Sequence, residues 1–102
     1  MNVHPRIPID QSKVAQFCSK WQITEFALFG SILRDDFGPD SDVDVLVTFA
    51  RDHGWSLYDV VDMEDELRSM LGRDVDLVMR GGLKNPFRRH EILRTRQVVY
   101  AA

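Results

Sequence analysis

The stretch Phe26-Ala27-Leu28-Phe29-Gly30-Ser31, followed after a loop by Asp42-Val43-Asp44-Val45-Leu46-Val47-Thr48-Phe49, decides the reading of this chain. The first apolar run is short, continuous and stopped by glycine, the pattern of a buried strand meeting a tight turn. The second run is rich in β-branched residues and reads as another strand. Gly38, Pro39, Asp40 and Ser41 mark the loop between them. Ile32, Leu33 and Arg34 predict a short helix leaving the first turn.

Working outward, Asp10 can cap a helix whose apolar stripe is Val14, Phe17, Cys18 and Trp21. Arg51 to Gly54 reads as a loop. Ser56 with Asp59 makes a start like a capping box, and Leu57, Val60, Met63, Leu67, Met70 and Leu71 keep helical spacing up to a stop at Gly72. Asp74-Val75-Asp76-Leu77-Val78-Met79 predicts a third strand. Gly81-Gly82 turns the chain, and Asn85 caps a basic helix with Pro86 at its first position. Val98-Val99-Tyr100 reads as a closing extended segment. The order α-β-α-β-α-β-α predicts an α/β or α+β architecture, a small mixed β-sheet flanked by helices.

With 102 residues the chain is expected to be one domain, 1–102, with no room for a separate substrate domain. Hydrophobic residues at 44% and charged residues at 28% argue against disorder. No apolar run approaches the ~20 residues that span a bilayer, and Met1 to Asp10 lacks the basic-then-apolar pattern of a secretory signal. Cys18 is the single cysteine, which excludes an internal disulfide and a cysteine-based metal site. The expected compartment is the cytoplasm.

The net charge of −3 hides an asymmetry. Residues 1–79 carry 7 basic and 15 acidic side chains, whereas residues 80–102 carry 6 basic and 1 acidic. A phosphate footprint needs a positive surface, so direct nucleic-acid binding is disfavoured. The basic tail either meets an acidic partner or a phosphate, or complements the acidic body within the fold.

Three features carry chemistry. Gly30-Ser31 sits at a strand-to-helix turn, where glycine lets the backbone approach a ligand and serine adds a hydroxyl suited to a phosphate oxygen. Asp42 and Asp44 are spaced i, i+2 at the head of an apolar strand, so both carboxylates share a face with Cα atoms about 6.5–7 Å apart. Two like charges there are unfavourable unless a divalent cation lies between them, and hard oxygen ligands suit Mg²⁺. The competing reading is two solvated carboxylates at a frayed strand start. Asp76, flanked by Val75 and Leu77, is the third candidate, as a further ligand or general base. Asp74 has the same facing and competes for that role. Together these elements describe phosphoryl chemistry on a nucleotide.

Gly30-Ser31, ten residues, then Asp42-Val43-Asp44 resembles the signature of the polymerase β-like nucleotidyltransferase superfamily. The short chain and Val75-Asp76-Leu77-Val78 resemble its minimal members, the MNT proteins, and the likeness runs from about Phe26 to Arg96. The resemblance implies the nucleotidyltransferase fold and transfer of a nucleoside monophosphate from a triphosphate to a hydroxyl, with release of pyrophosphate. It implies that Asp42, Asp44 and Asp76 form the catalytic and Mg²⁺-binding set and that Gly30, Ser31 and Arg34 contact the nucleotide phosphates. After Ser31 the chain reads Ile-Leu-Arg-Asp, where many relatives have a small residue before the arginine and a glycine after it, so Leu33 and Asp35 depart from the pattern.

Many minimal members are antitoxins paired with a HEPN-domain ribonuclease toxin. The implied substrate is then a hydroxyl of that toxin, a tyrosine, modified with AMP from ATP within a hetero-oligomer. Two alternatives stay open: an antitoxin that neutralises its partner by steric occlusion, and nucleotidylation of a small molecule, which ranks lowest because no acceptor-binding domain is present. Trp21 and Trp55 read as core or partner-facing anchors. His4, His53 and His90 lack metal spacing. Asp59, Asp62, Asp65 and Glu66 read as the wet face of a helix. Arg88, Arg89, Arg94 and Arg96 read as a solvated face, with contact to a toxin or nucleotide as the alternative.

Overall fold

The computed structural model describes residues 9–34, 37–50 and 54–102. His4, Asp35, His53 and the greater part of the 51–54 loop lie outside the described residues. Helix α1 spans Gln11–Trp21, opened by Asp10, whose carboxylate accepts from the N–H groups of Ser12 and Lys13. It ends at Gln22 in the left-handed region, φ 58°. Strand β1 spans Ile23–Phe29 and begins three residues before the apolar run that announces it. Strand β2 spans Val43–Phe49. Helix α2 spans Leu57–Leu71, with the Ser56–Asp59 capping box formed and Gly72 closing it. Strand β3 spans Val75–Met79. Helix α3 spans Pro86–Thr95, with Asn85 as its cap. Strand β4 spans Gln97–Ala101, so the closing segment is a true strand.

The four strands form one mixed sheet in the order β3-β2-β1-β4. β1 pairs antiparallel with β2 and β4, and β2 pairs parallel with β3, the pairing that the α2 crossover permits. On one face Phe26, Leu28, Val43, Val45 and Val47 pack against α1 and α2 through Val14, Phe17, Cys18, Met63 and Leu67. On the other, Ala27, Phe29 and Leu46 pack against Leu83 and Ile92. Thus α3 covers part of the face that carries Asp44.

Two expectations need correction. Ile32-Leu33-Arg34 does not start an α-helix: Gly30–Leu33 is a single 3₁₀ turn and Arg34 is already extended. A four-residue turn has little macrodipole, so no positive helix end stands behind Ser31. Leu57 keeps the helical period as the first residue of α2 and is 80% exposed. Glu66 and Arg96 are not solvated-face residues. Glu66 pairs with Lys20 and accepts from Trp21 Nε1 at 3.3 Å. Arg96 Nε donates to Glu25 Oε2 at 2.8 Å in a half-buried pair that ties the end of α3 to β1. Trp21 and Trp55 are anchors, packed edge-to-face with Trp55 Nε1 donating to the Trp21 carbonyl at 2.8 Å.

Candidate functional site

The six residues singled out from the sequence come together where β1 ends and β2 and β3 begin. Phe29 is the register partner of Asp44, and Asp44 is in turn the register partner of Asp76. The chain leaves Phe29 through Gly30 at φ +73°, a left-handed conformation that glycine adopts without strain. A Cβ built on Gly30 would overlap Asp44 Oδ2. The glycine is therefore required twice, for the turn and for the carboxylate that lies over it.

Ser31 ties the turn to the acidic strand. Its peptide N–H hydrogen-bonds the Asp44 carboxylate, and its hydroxyl donates to the Asp42 carbonyl at 3.3 Å. The loop beneath is pinned by Ser41, whose N–H donates to the Gly38 carbonyl at 3.1 Å and whose hydroxyl accepts from the Gly38 N–H. Arg73 stacks on Phe37 at 4.3 Å and donates to the same Gly38 carbonyl. These contacts fix the approach of Asp42.

The electrostatics centre on Asp44. Burial pushes its carboxyl above the usual carboxylate range, and the negative charges of Asp76 and Asp42 push the same way. The Ser31 N–H and the Arg34 guanidinium oppose the shift. Asp42 and Asp76 are exposed at the rim. Asp74, the competitor, is 81% exposed and lies 3.7 Å from Arg68, so its carboxylate is drawn toward α2.

Among the described residues, no three carboxylate, imidazole or thiol groups are already converged as a closed metal cage. The donor set nevertheless fits a hard divalent cation. It offers carboxylate oxygens on one face, held by a glycine that admits close approach, and at Asp44 burial and the neighbouring charges of Asp76 and Asp42 raise a proton affinity that a cation would relieve. Mg²⁺ completes its shell with water and phosphate oxygens and does not require an all-protein cage.

Beside this cluster, an open pocket of about 580 Å³ lies between Gly30 and Arg34 on one wall and Glu91, Arg94 and Gln97 on the other. The sequence reading gave no site role to Glu91 or Gln97, and held a nucleotide contact at Arg94 only as an alternative. Their sole signal was the basic balance of residues 80–102. His90 is exposed and stands apart from any metal-ligating group.

Residues 12–99 match the nucleotidyltransferase domain family. The chain belongs to that family and is a nucleotidyltransferase. The protein adenylyltransferase MntA of Thermococcus cleftensis is 37% identical over 81 residues, covering 79% of this chain and 77% of that one. A solved structure named provisionally as a minimal nucleotidyltransferase is 32% identical, with a TM-score of 0.71 and coverage of 85% and 86% of the two chains. A triply AMPylated Shewanella oneidensis HEPN toxin in complex with its MNT antitoxin gives a match with a TM-score of 0.65 at 19% identity, over 90% of this chain and 70% of the other. That last likeness is one of fold.

Proposed function

We propose that this chain is an Mg²⁺-dependent protein adenylyltransferase that moves AMP from ATP to a hydroxyl, a tyrosine, of a HEPN-domain toxin and so acts as its antitoxin. In this reading residues 1–102 work as a single catalytic unit in the cytoplasm. The observation that carries it is the convergence of Gly30, Ser31 and Asp76 on Asp44. The naming of a 37% identical relative as a protein adenylyltransferase supports the substrate class. The likeness of fold to an antitoxin bound to an AMPylated HEPN toxin supports the partner.

Asp42, Asp44 and Asp76 would hold the cation, which when bound neutralises phosphate charge and templates in-line attack. The chain's own residues do the rest. Gly30 clears space for the Asp44 carboxylate over the turn, and Arg34 would set a guanidinium beside the phosphates. The Ser31 hydroxyl, now on the Asp42 carbonyl, is placed to turn toward a phosphate oxygen. The acceptor oxygen bonds to the α-phosphorus as the bond from that phosphorus to the β-bridging oxygen breaks, and the electron pair leaves with pyrophosphate. The hydroxyl proton passes to a carboxylate, and Asp76 is assigned that role because it faces Asp44 while Asp74 faces Arg68.

Labelled transfer separates these two. Asp76→Asn is expected to lower the rate by about 10²-fold or more, the scale of losing one preorganised charged group at a reacting centre, and Asp74→Asn to stay within about twofold. The reverse ranking would move the third carboxylate to Asp74.

A further inference from the structure

The aspartates gather where β2 and β3 begin; two arginines meet where the same strands end. Arg80 follows β3 directly, Arg89 lies in α3, and Arg89 Nη1 donates to the Arg80 carbonyl at 3.3 Å. Both residues are half-buried, and neither has a carboxylate partner among the described residues. Other arginines are answered within the fold: Arg68 by Asp65, Arg94 by Glu91, Arg96 by Glu25, and Arg73 by the Phe37 ring. Residues 80–90 supply four cations and no carboxylate. Partly desolvated guanidinium groups without a counter-charge are unfavourable. This end of the fold therefore favours an anion from outside.

Arg80 and Arg89 line a pocket of about 540 Å³ together with Val47, Phe49 and Met79. It shares no residue with the pocket beside the Gly30 turn. A Cβ built on Gly81 or Gly82, which complete the wall, meets nothing within 4 Å, so the turn is open to a group arriving from another molecule. A cationic pair beside an apolar wall suits a carboxylate on a short apolar stem, and guanidinium N–H groups match carboxylate oxygens in pairs. Apart from the arginines and Thr48 the wall has no hydrogen-bonding side chain, which disfavours a ribose or a base.

The position relative to the aspartates supplies the second argument. Arg80 follows Asp76 by four residues along β3, about 13 Å at the rise of a strand. Adenylylation of a protein requires that one hydroxyl of a large acceptor be steered to the Asp44 cluster. A second anchor at a fixed distance supplies that orientation.

We propose that the Arg80–Arg89 pocket docks an acidic side chain of the protein acceptor, an Asp or Glu about 13 Å from the hydroxyl that receives the nucleotide. This rests on the protein-adenylylation reading above. Arg80 and Arg89 are positioning residues: they select the acceptor and take no part in the transfer itself.

Labelled transfer to the HEPN-domain partner, over a range of partner and ATP concentrations, tests this. Arg80→Gln/Arg89→Gln is expected to raise the KM for the partner about tenfold or more, while kcat and the KM for ATP stay within about twofold. Arg80→Lys/Arg89→Lys should recover part of the loss. Added salt should raise the partner KM of wild type and move that of the glutamine variant far less. Neither change leaves a carboxylate unpaired, and damage to the fold would lower kcat as well. Arg88→Gln removes an exposed charge from the same helix and should stay within about twofold throughout. An equal effect from Arg88→Gln would mean a diffuse basic surface and overturn the pocket. A rise in the KM for ATP with the partner KM unchanged would make it a nucleotide contact and overturn the docking. If wild type labels the partner and the glutamine variant does so with the same KM, the docking falls and the transferase reading stands. If wild type labels nothing, both fall.

Discussion

Asp44 and Asp76 are register partners across the parallel β2–β3 ladder, so two carboxylates are carried side by side on one face of the sheet. Neighbouring like charges on paired strands are destabilising, and Asp44 is also partly buried, which disfavours its charged form. A fold that keeps this arrangement gives up stability in exchange for a site where a cation is welcome. The consequences are measurable.

The first concerns pH. In the folded chain the Asp44 carboxyl holds its proton more tightly than the usual carboxylate value of 3.8, chiefly through burial and then through Asp76. The native state therefore binds more protons than the unfolded one over that interval, and stability falls as pH rises through it. The contribution is fully present below the ordinary value and is lost as pH climbs through the raised one. Asp44→Asn removes the charge, so in metal-free buffer at pH 7 its Tm should exceed wild type by about 2–4 °C. At pH 3 the gap should close. Added Mg²⁺ should raise the Tm of wild type more than that of the variant, in thermal melts across pH 3–8.

The second concerns Gly30. Alanine there must hold φ +73° and collide with Asp44 Oδ2. The strain of the left-handed conformation alone is about 1–2 kcal/mol, a fall in Tm of roughly 4–12 °C, and transfer should drop by at least about tenfold because the carboxylate is displaced. Gly72 is the control. It shares a left-handed φ of 69° but nothing lies within 4 Å of a built Cβ. Gly72→Ala should therefore lose comparable stability from strain and keep its transfer rate per folded molecule.

The third concerns Cys18, fully buried on the inner face of α1, its thiol pushed up to about 12 by burial. The thiolate is the reactive species. A colourless disulfide reagent at pH 8 should leave the native chain unlabelled over hours and label it within minutes once denaturant unfolds it. Rapid labelling of the native protein would mean that the α1 face opens readily.

How much of this was legible in the sequence follows from how local each signal is. Helix starts depend on side chains two or three residues from the N–H groups they cap, so Asp10, Ser56 with Asp59, and Asn85 with Pro86 announced all three helices. Asp42 and Asp44 stood out because carboxylates heading an apolar strand need a reason. Ladder register is different: nothing near Asp76 says that it will face Asp44, since that depends on where the α2 crossover sets β3 down. The same holds for Glu25 with Arg96 and for Trp21 with Glu66, which join residues 71 and 45 apart in the chain. The pocket wall made by α3 was illegible for that reason. Glu91 and Arg94 form an ordinary surface pair by spacing, and only the packing of Ile92 onto Ala27, Phe29 and Leu46 brings them beside Gly30.

In the proposed function the clustered aspartates perform the transfer. The most direct measurement incubates this chain, in less than equimolar amount, with ATP labelled at the α-phosphate, Mg²⁺ and the HEPN-domain partner, beside Asp42→Asn/Asp44→Asn. Label is expected to accumulate on the partner beyond one equivalent of this chain, the double variant to abolish it while still folding, and toxin activity to fall in step with labelling. A partner that stays bound and neutralised without any label, in wild type and double variant alike, would contradict it and leave an antitoxin that acts by occlusion.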